Sequence, residues 1–234
     1  MPHPSRRHVL TGAACLCGLM AGGHALAAAQ KVGRYCMSHD GAWPALTQVP
    51  PEAYARQGRA EAMMKSYLDA EAEHLGDFFG LRGRYILLEA YAGASYDIAH
   101  DTIEIGELFL PADSQNFHRT AAIFAHEAAH RLQVHYRIDE QLKNVAGFAV
   151  KYVELHADYM AGAYMAACRG DINTRDAFFL LGDLNVDDHH GTGPERFIAF
   201  HRGFAEYGGV AARNPNDILA VAFAGVKHVQ SLLP

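Results

Sequence analysis

Two pairs of polar residues, each spaced four apart, constrain this chain more than any other feature. They are His126 and His130 in His126-Glu127-Ala128-Ala129-His130, and Glu154 and Asp158 in Glu154-Leu155-His156-Ala157-Asp158. Residues four apart on an α-helix are offset by about 40° around its axis, so each pair projects from one face, one turn apart. Imidazoles placed this way can take two corners of a tetrahedral metal site. Glu154 can supply a third donor while Asp158 hydrogen-bonds one of the ligand histidines, fixing its tautomer and raising its basicity. Glu127 lies on the flank of the histidine face, within reach of a water at the metal and without being a ligand itself. His156 falls on the face opposite Glu154, and His135 falls off the ligand face, so neither is expected to bind.

Both pairs sit in helical sequence. A helix capped by Asp113 or Ser114 is expected to run to about residue 136, and a longer one to span 140–168, with Gly147 and Gly162 as weak points or close-packing sites. Amphipathic spacing over 52–79 predicts an earlier helix, its stripe including Met63, Met64, Tyr67, Leu68, Leu75, Phe78 and Phe79. Short strands are expected at 85–88, 95–98 and 102–105, with Ala99-His100-Asp101 turning a hairpin between the last two. Helices are also expected over 174–184, from Pro194 to about 207, and from about 214 toward 233, with a loop over 187–194. Residues 30–50 hold Trp43-Pro44 and Pro50-Pro51 and read as irregular. The expectation is one α+β domain over 30–234, mostly helical, with a small antiparallel or mixed sheet.

The N-terminus reads as an address. Ser5-Arg6-Arg7 precedes an apolar, glycine-containing stretch over 9–23, followed by Ala25-Leu26-Ala27, and no acid occurs before Asp40. This is the pattern of a secretory signal peptide over 1–29, and the paired arginines resemble a twin-arginine export signal. A general secretory signal and an uncleaved anchor are the alternatives. After cleavage no stable membrane span is expected, and the location would be periplasmic or secreted. Removing 1–29 takes away two arginines and no acid, leaving 18 basic and 26 acidic residues and a net charge of -8. That balance, without a basic run, argues against a nucleic-acid groove. Of the four cysteines, Cys15 and Cys17 leave with the signal. Cys36 and Cys168 either form one disulfide in an oxidising compartment or remain separate buried thiols.

The first pair is the HExxH arrangement of zinc peptidases. A metzincin would need Gly at 133 and His at 136, where this chain has Gln133 and Tyr136, so that class is excluded. HEAAH followed by ELHADYMAGAY resembles the gluzincins, whose third ligand comes from an ELxAD helix, and among them the bacterial neutral zinc metallopeptidases related to HtpX-like peptidases. Glu89-Ala90-Tyr91-Ala92 with the strand 102–105 is similar to that family's substrate-edge strand. His190-Gly191-Thr192-Gly193-Pro194-Glu195-Arg196 is similar to its HGT-xxx-R segment. The resemblance covers 89 to about 204, and this chain lacks the longer membrane-anchored N-terminal portion expected of such peptidases.

The resemblance implies a zincin-type fold and Zn2+ held by His126, His130 and Glu154. Asp158 would lie behind a ligand histidine, Glu127 would act as general base, and a peptide or protein would be the substrate. His190 would donate to the oxyanion, a surface role for the His189-His190 pair being the alternative, and Arg196 would hold its loop by pairing with an acid. The strand over 102–105 would bind extended substrate at the sheet edge. A non-hydrolytic, zinc-stabilised periplasmic binding module is the alternative function, and a metal-free protein with an incidental motif is a third.

Overall fold

Alanine-rich and aromatic stripes at helical spacing account for most of the architecture. The computed structural model describes residues 34–35, 62–88, 91, 93–106, 117–144, 150–169, 190–213 and 217–232. Helix α1 (Ala62–Phe79) buries Leu68, Leu75 and Phe79, spaced seven and four apart along one face. Four strands follow in space: β1 (Arg34–Tyr35), β2 (Arg84–Leu88), β3 (Ala94–Asp97) and β4 (Thr102–Gly106). The remaining helices are α2 (Phe117–His135), α3 (Ile138–Lys143), α4 (Lys151–Arg169), α5 (Gly193–Arg213) and α6 (Ile218–Gln230). The class is therefore α+β, mostly helical, with a small mixed sheet.

The sheet order is β1-β3-β4-β2. Strands β3 and β4 form the expected antiparallel hairpin, and β2 lies parallel to β4. At the turn, the Asp97 carboxylate accepts from the backbone N–H of Ala99 at 2.9 Å, and Asp101 takes a left-handed φ of 46°. Alternation along the strands puts Leu87, Tyr96, Ile103 and Ile105 into the hydrophobic core. Ser95 and Glu104, paired across β3 and β4, are buried on the opposite face and hydrogen-bonded at 2.9 Å. Arg131 fastens α2 to the hairpin. Its guanidinium donates to the Asp101 carboxylate at 2.7 Å and to the carbonyls of Arg84 and Asp101, and it stacks over Tyr96.

Four expectations need correction. Strand β4 is central, flanked by β3 and β2, so its backbone groups are already paired and it cannot take an added substrate strand. The helix expected over 140–168 is divided: α3 starts after Arg137, ends at Lys143 and is capped by Asn144, and α4 starts afresh at Lys151. Arg34–Tyr35, within the stretch read as irregular, pairs with β3. The fifth helix runs six residues past Tyr207, through Gly208-Gly209. The signal segment 1–29, Cys36, the helix over 174–184 and residues 187–189 lie outside the described residues. Cys168 is exposed near the end of α4. Among the described residues, no helix is long and apolar enough to cross a membrane.

Helices α4 and α5 approach at backbone distance. A Cβ on Gly162 would lie 1.9 Å from the Phe200 carbonyl oxygen, and one on Gly203 would lie 1.9 Å from that of Tyr159. Gly162 is thus a close-packing site. Since neither neighbour is a movable side-chain tip, Gly162→Ala must push the helices apart. We expect a loss of about 1–3 kcal/mol in urea unfolding, the usual range for overpacking, and a wild-type midpoint would refute the close approach.

Candidate metal centre

The alanine content of α2 lets its histidine face approach α4. Ala121, Ala122, Ala125, Ala128 and Ala129 are all buried around the His126–His130 turn. Across the gap, every residue of α4 from Tyr152 to Met165 is buried, Glu154, His156 and Asp158 among them. The two expected helix faces therefore meet. His126 Nε2 lies 3.3 Å from Glu154 Oε2, His130 Nε2 lies 3.5 Å from the same oxygen, and the two Nε2 atoms are 3.1 Å apart.

This triangle fits a metal ion. A tetrahedral ion bonded at about 2.0–2.1 Å holds its ligand atoms about 3.3–3.4 Å apart, close to all three sides. The donor chemistry agrees. Around the imidazoles, three buried carboxylates (Glu127, Glu154 and Asp158) face one buried guanidinium, Arg196. That formal excess of two negative charges is what a divalent cation would cancel. Glu154 Oε1 is buried without a hydrogen-bond partner among the described residues. His126, His130 and Glu154 can thus hold a metal ion.

Each histidine is held from behind. His126 Nδ1 lies 2.8 Å from Asp158 Oδ1, as the second motif predicts. Asp158 is in turn gripped by Arg196, with Nε to Oδ2 at 2.8 Å and a terminal nitrogen to Oδ1 at 2.9 Å, a two-pronged pair in the interior. The acidic partner expected for Arg196 is therefore this carboxylate. On the other histidine, Gln133 Oε1 lies 2.8 Å from His130 Nδ1. In the sequence, Gln133 marks only the absence of the metzincin glycine. Its position three residues after His130, one turn along the same helix, is the signal that could have marked it.

The segment 190–196 is built to deliver Arg196. Gly191 has a left-handed φ of 86° and packs against Leu155 of α4. Thr192 and Glu195 then form a capping box. The Thr192 N–H donates to the Glu195 carboxylate at 2.8 Å, and the Glu195 N–H donates back to the Thr192 hydroxyl at 3.4 Å. His190 is buried at the turn before α5, close enough to Glu154 to contribute to the lowering of that carboxyl's pKa. Glu127 is fully buried, and its charge acts on His126. His156 is buried and falls outside the group of three donors; His135 is exposed.

Electrostatics show where positive charge belongs. Burial alone would lower the His126 pKa, but the Asp158 charge and hydrogen bond, with Glu154 and Glu127, raise it to about 10. For Glu154, burial pushes upward, and the neighbouring histidines overcome it and hold the carboxyl well below its ordinary range. Asp158 is lowered likewise, burial being outweighed by Arg196 and then His126. Without a metal, the cluster therefore keeps a proton on His126 at neutral pH. A metal at the triangle must displace it, so binding at pH 7 should release about one proton and tighten as pH rises toward 10. Calorimetry in buffers of different ionisation enthalpy measures this, and no proton release would refute it. Asp158→Asn should keep the site but weaken metal binding about tenfold or more, read by competition with a chelator.

Comparison of the chain with protein-family models, with curated proteins and with solved structures found no match.

Proposed function

We propose that this chain is a zinc-dependent peptidase of the gluzincin type, exported through the twin-arginine signal over 1–29. One observation carries the reading. The Nε2 atoms of His126 and His130 and one oxygen of Glu154 converge at 3.1–3.5 Å, with Glu127 buried beside the pair. Three protein donors leave a fourth position open, the mark of a catalytic rather than a structural zinc site. Two histidines and one carboxylate also suit iron(II). The glutamate directly after the first histidine favours zinc and hydrolysis.

When bound, the metal supplies a Lewis acid that acidifies a water and polarises a peptide carbonyl. Glu127 accepts a proton from the attacking water and passes it to the leaving amine. His190, on the turn that leads into α5, donates to the oxyanion. Asp158 and Arg196 keep His126 turned toward the metal through the reaction. The substrate is a peptide or protein, reaching the site by a route other than the paired strand β4.

A second reading, a non-hydrolytic zinc-stabilised binding module, is favoured by burial: His130, Glu127 and Glu154 are each 0% exposed. Mutation separates the two. Glu127→Gln should retain metal and fold, yet lower peptide cleavage by about 100- to 10,000-fold, because an amide cannot take the water's proton. His190→Ala should retain metal and lower kcat by about 100-fold. Metal analysis of the purified protein and chelator-sensitive cleavage of a degenerate peptide library supply the readouts. Wild-type cleavage by metal-loaded Glu127→Gln would overturn the mechanism, and metal-loaded wild type without cleavage would favour the binding module.

A further inference from the structure

One line of buried hydrogen bonds ends on a metal donor and is not used by the hydrolytic scheme. Gln133 on α2 is fully buried. Its Nε2 lies 2.8 Å from the Val153 carbonyl oxygen and 2.9 Å from His156 Nδ1, while its Oε1 lies 2.8 Å from His130 Nδ1. His156 Nε2 lies 3.0 Å from the carbonyl oxygen of Ala222 on α6.

These contacts admit one arrangement of hydrogens. A backbone carbonyl only accepts, so the amide turns its NH2 toward Val153 and its oxygen toward His130. The second N–H of that NH2 points at His156 Nδ1, which must then accept. His156 therefore carries its hydrogen on Nε2 and donates it to Ala222. At the other end the amide oxygen only accepts, so His130 Nδ1 donates. That leaves the lone pair of His130 on Nε2, the atom facing His126 and Glu154.

We infer that Gln133 and His156 are positioning residues that set the tautomer of His130 for metal binding, anchored on the Ala222 carbonyl of the C-terminal helix. The inference rests on the metal centre proposed above and not on peptide hydrolysis. Each ligand histidine then has its own support: a carboxylate neutralised by Arg196 behind His126, and an uncharged amide behind His130. An amide orients a ring without adding a fourth carboxylate to a site already carrying an excess of negative charge.

Zinc affinity of the full chain, measured by chelator competition, tests this with two variants. Gln133→Met fills nearly the same volume but accepts no hydrogen bond, and it should bind zinc about 10- to 100-fold more weakly. Gln133→Glu keeps an acceptor for His130 and should hold zinc more tightly than the Met variant. A side chain that merely fills space would give the reverse order, with Met tolerated and a carboxylate facing Val153 damaging, and that order would overturn the inference. A second measurement needs no variant. Long-range 1H–15N spectra of the zinc-loaded wild type should show His130 with its hydrogen on Nδ1 and His156 with its hydrogen on Nε2. A hydrogen on His156 Nδ1 would overturn the relay even if neither variant folded. Wild type that takes up no zinc would overturn the metal centre, and the tautomers read in the same metal-free sample would separate that failure from failure of the relay.

Discussion

Asp158 is a negative charge in the interior, bonded on one side to a ligand imidazole and on the other to a guanidinium. A buried carboxylate is tolerated only when its lone pairs and its charge are met. Meeting them here requires three helices at once: α2 brings His126, α4 the carboxylate and α5 Arg196. Each of these depends on local devices already described. The alanines of α2 permit the approach, the Gly162–Gly203 contact lets α4 and α5 come within backbone distance, and the Thr192–Glu195 box starts α5 where Arg196 can reach inward. Removing Arg196 alone would leave a buried anion facing a histidine, the kind of loss that commonly costs about 3–5 kcal/mol.

The metal donors and the ion pair have different energetic characters. The triangle of His126, His130 and Glu154 brings two imidazole nitrogens and a carboxylate oxygen toward one point, where they could hold a cation. The Asp158–Arg196 pair is neutral as a unit and joined by two hydrogen bonds. It belongs to the framework whether or not a metal is present.

Much of this was legible in the residue order, and what was not has physical reasons. Period-four spacing made the convergence of His126, His130, Glu154 and Asp158 readable, since helical geometry fixes which side chains share a face. The strands at 84–88, 94–97 and 102–106 were readable to within a residue from β-branched and aromatic runs ending at Ala99-His100-Asp101. Strand order was not, because pairing is decided between segments distant in the chain. β4 therefore looked like an edge and proved central. The break between α3 and α4 was missed because the apolar spacing continues across it; the left-handed Arg137 that separates α2 from α3 is likewise a conformation that residue type does not announce. His156 was set aside as a non-ligand, and Gln133 served only to exclude the metzincins. Their part lies in hydrogen bonds to main-chain carbonyls of Val153 and Ala222, groups that every residue carries and no sequence pattern marks.

Helix α4 is enclosed for fourteen consecutive residues, from Tyr152 to Met165. Most helices keep one face in water and can loosen by peeling that face outward. This one has no such face. Its neighbours α2, α5 and α6 are each tied to it by polar bonds as well as packing, and Tyr164 adds a fourth tie to Glu71 of α1 at 2.6 Å. Its amide hydrogens can then exchange with solvent only when the surrounding helices part together, at the free energy of the whole cooperative unit. Glu154 thus sits on a helix enclosed along most of its length, as α2 is over Thr120–Gln133, and any motion that admits a ligand must be made by the parts around it.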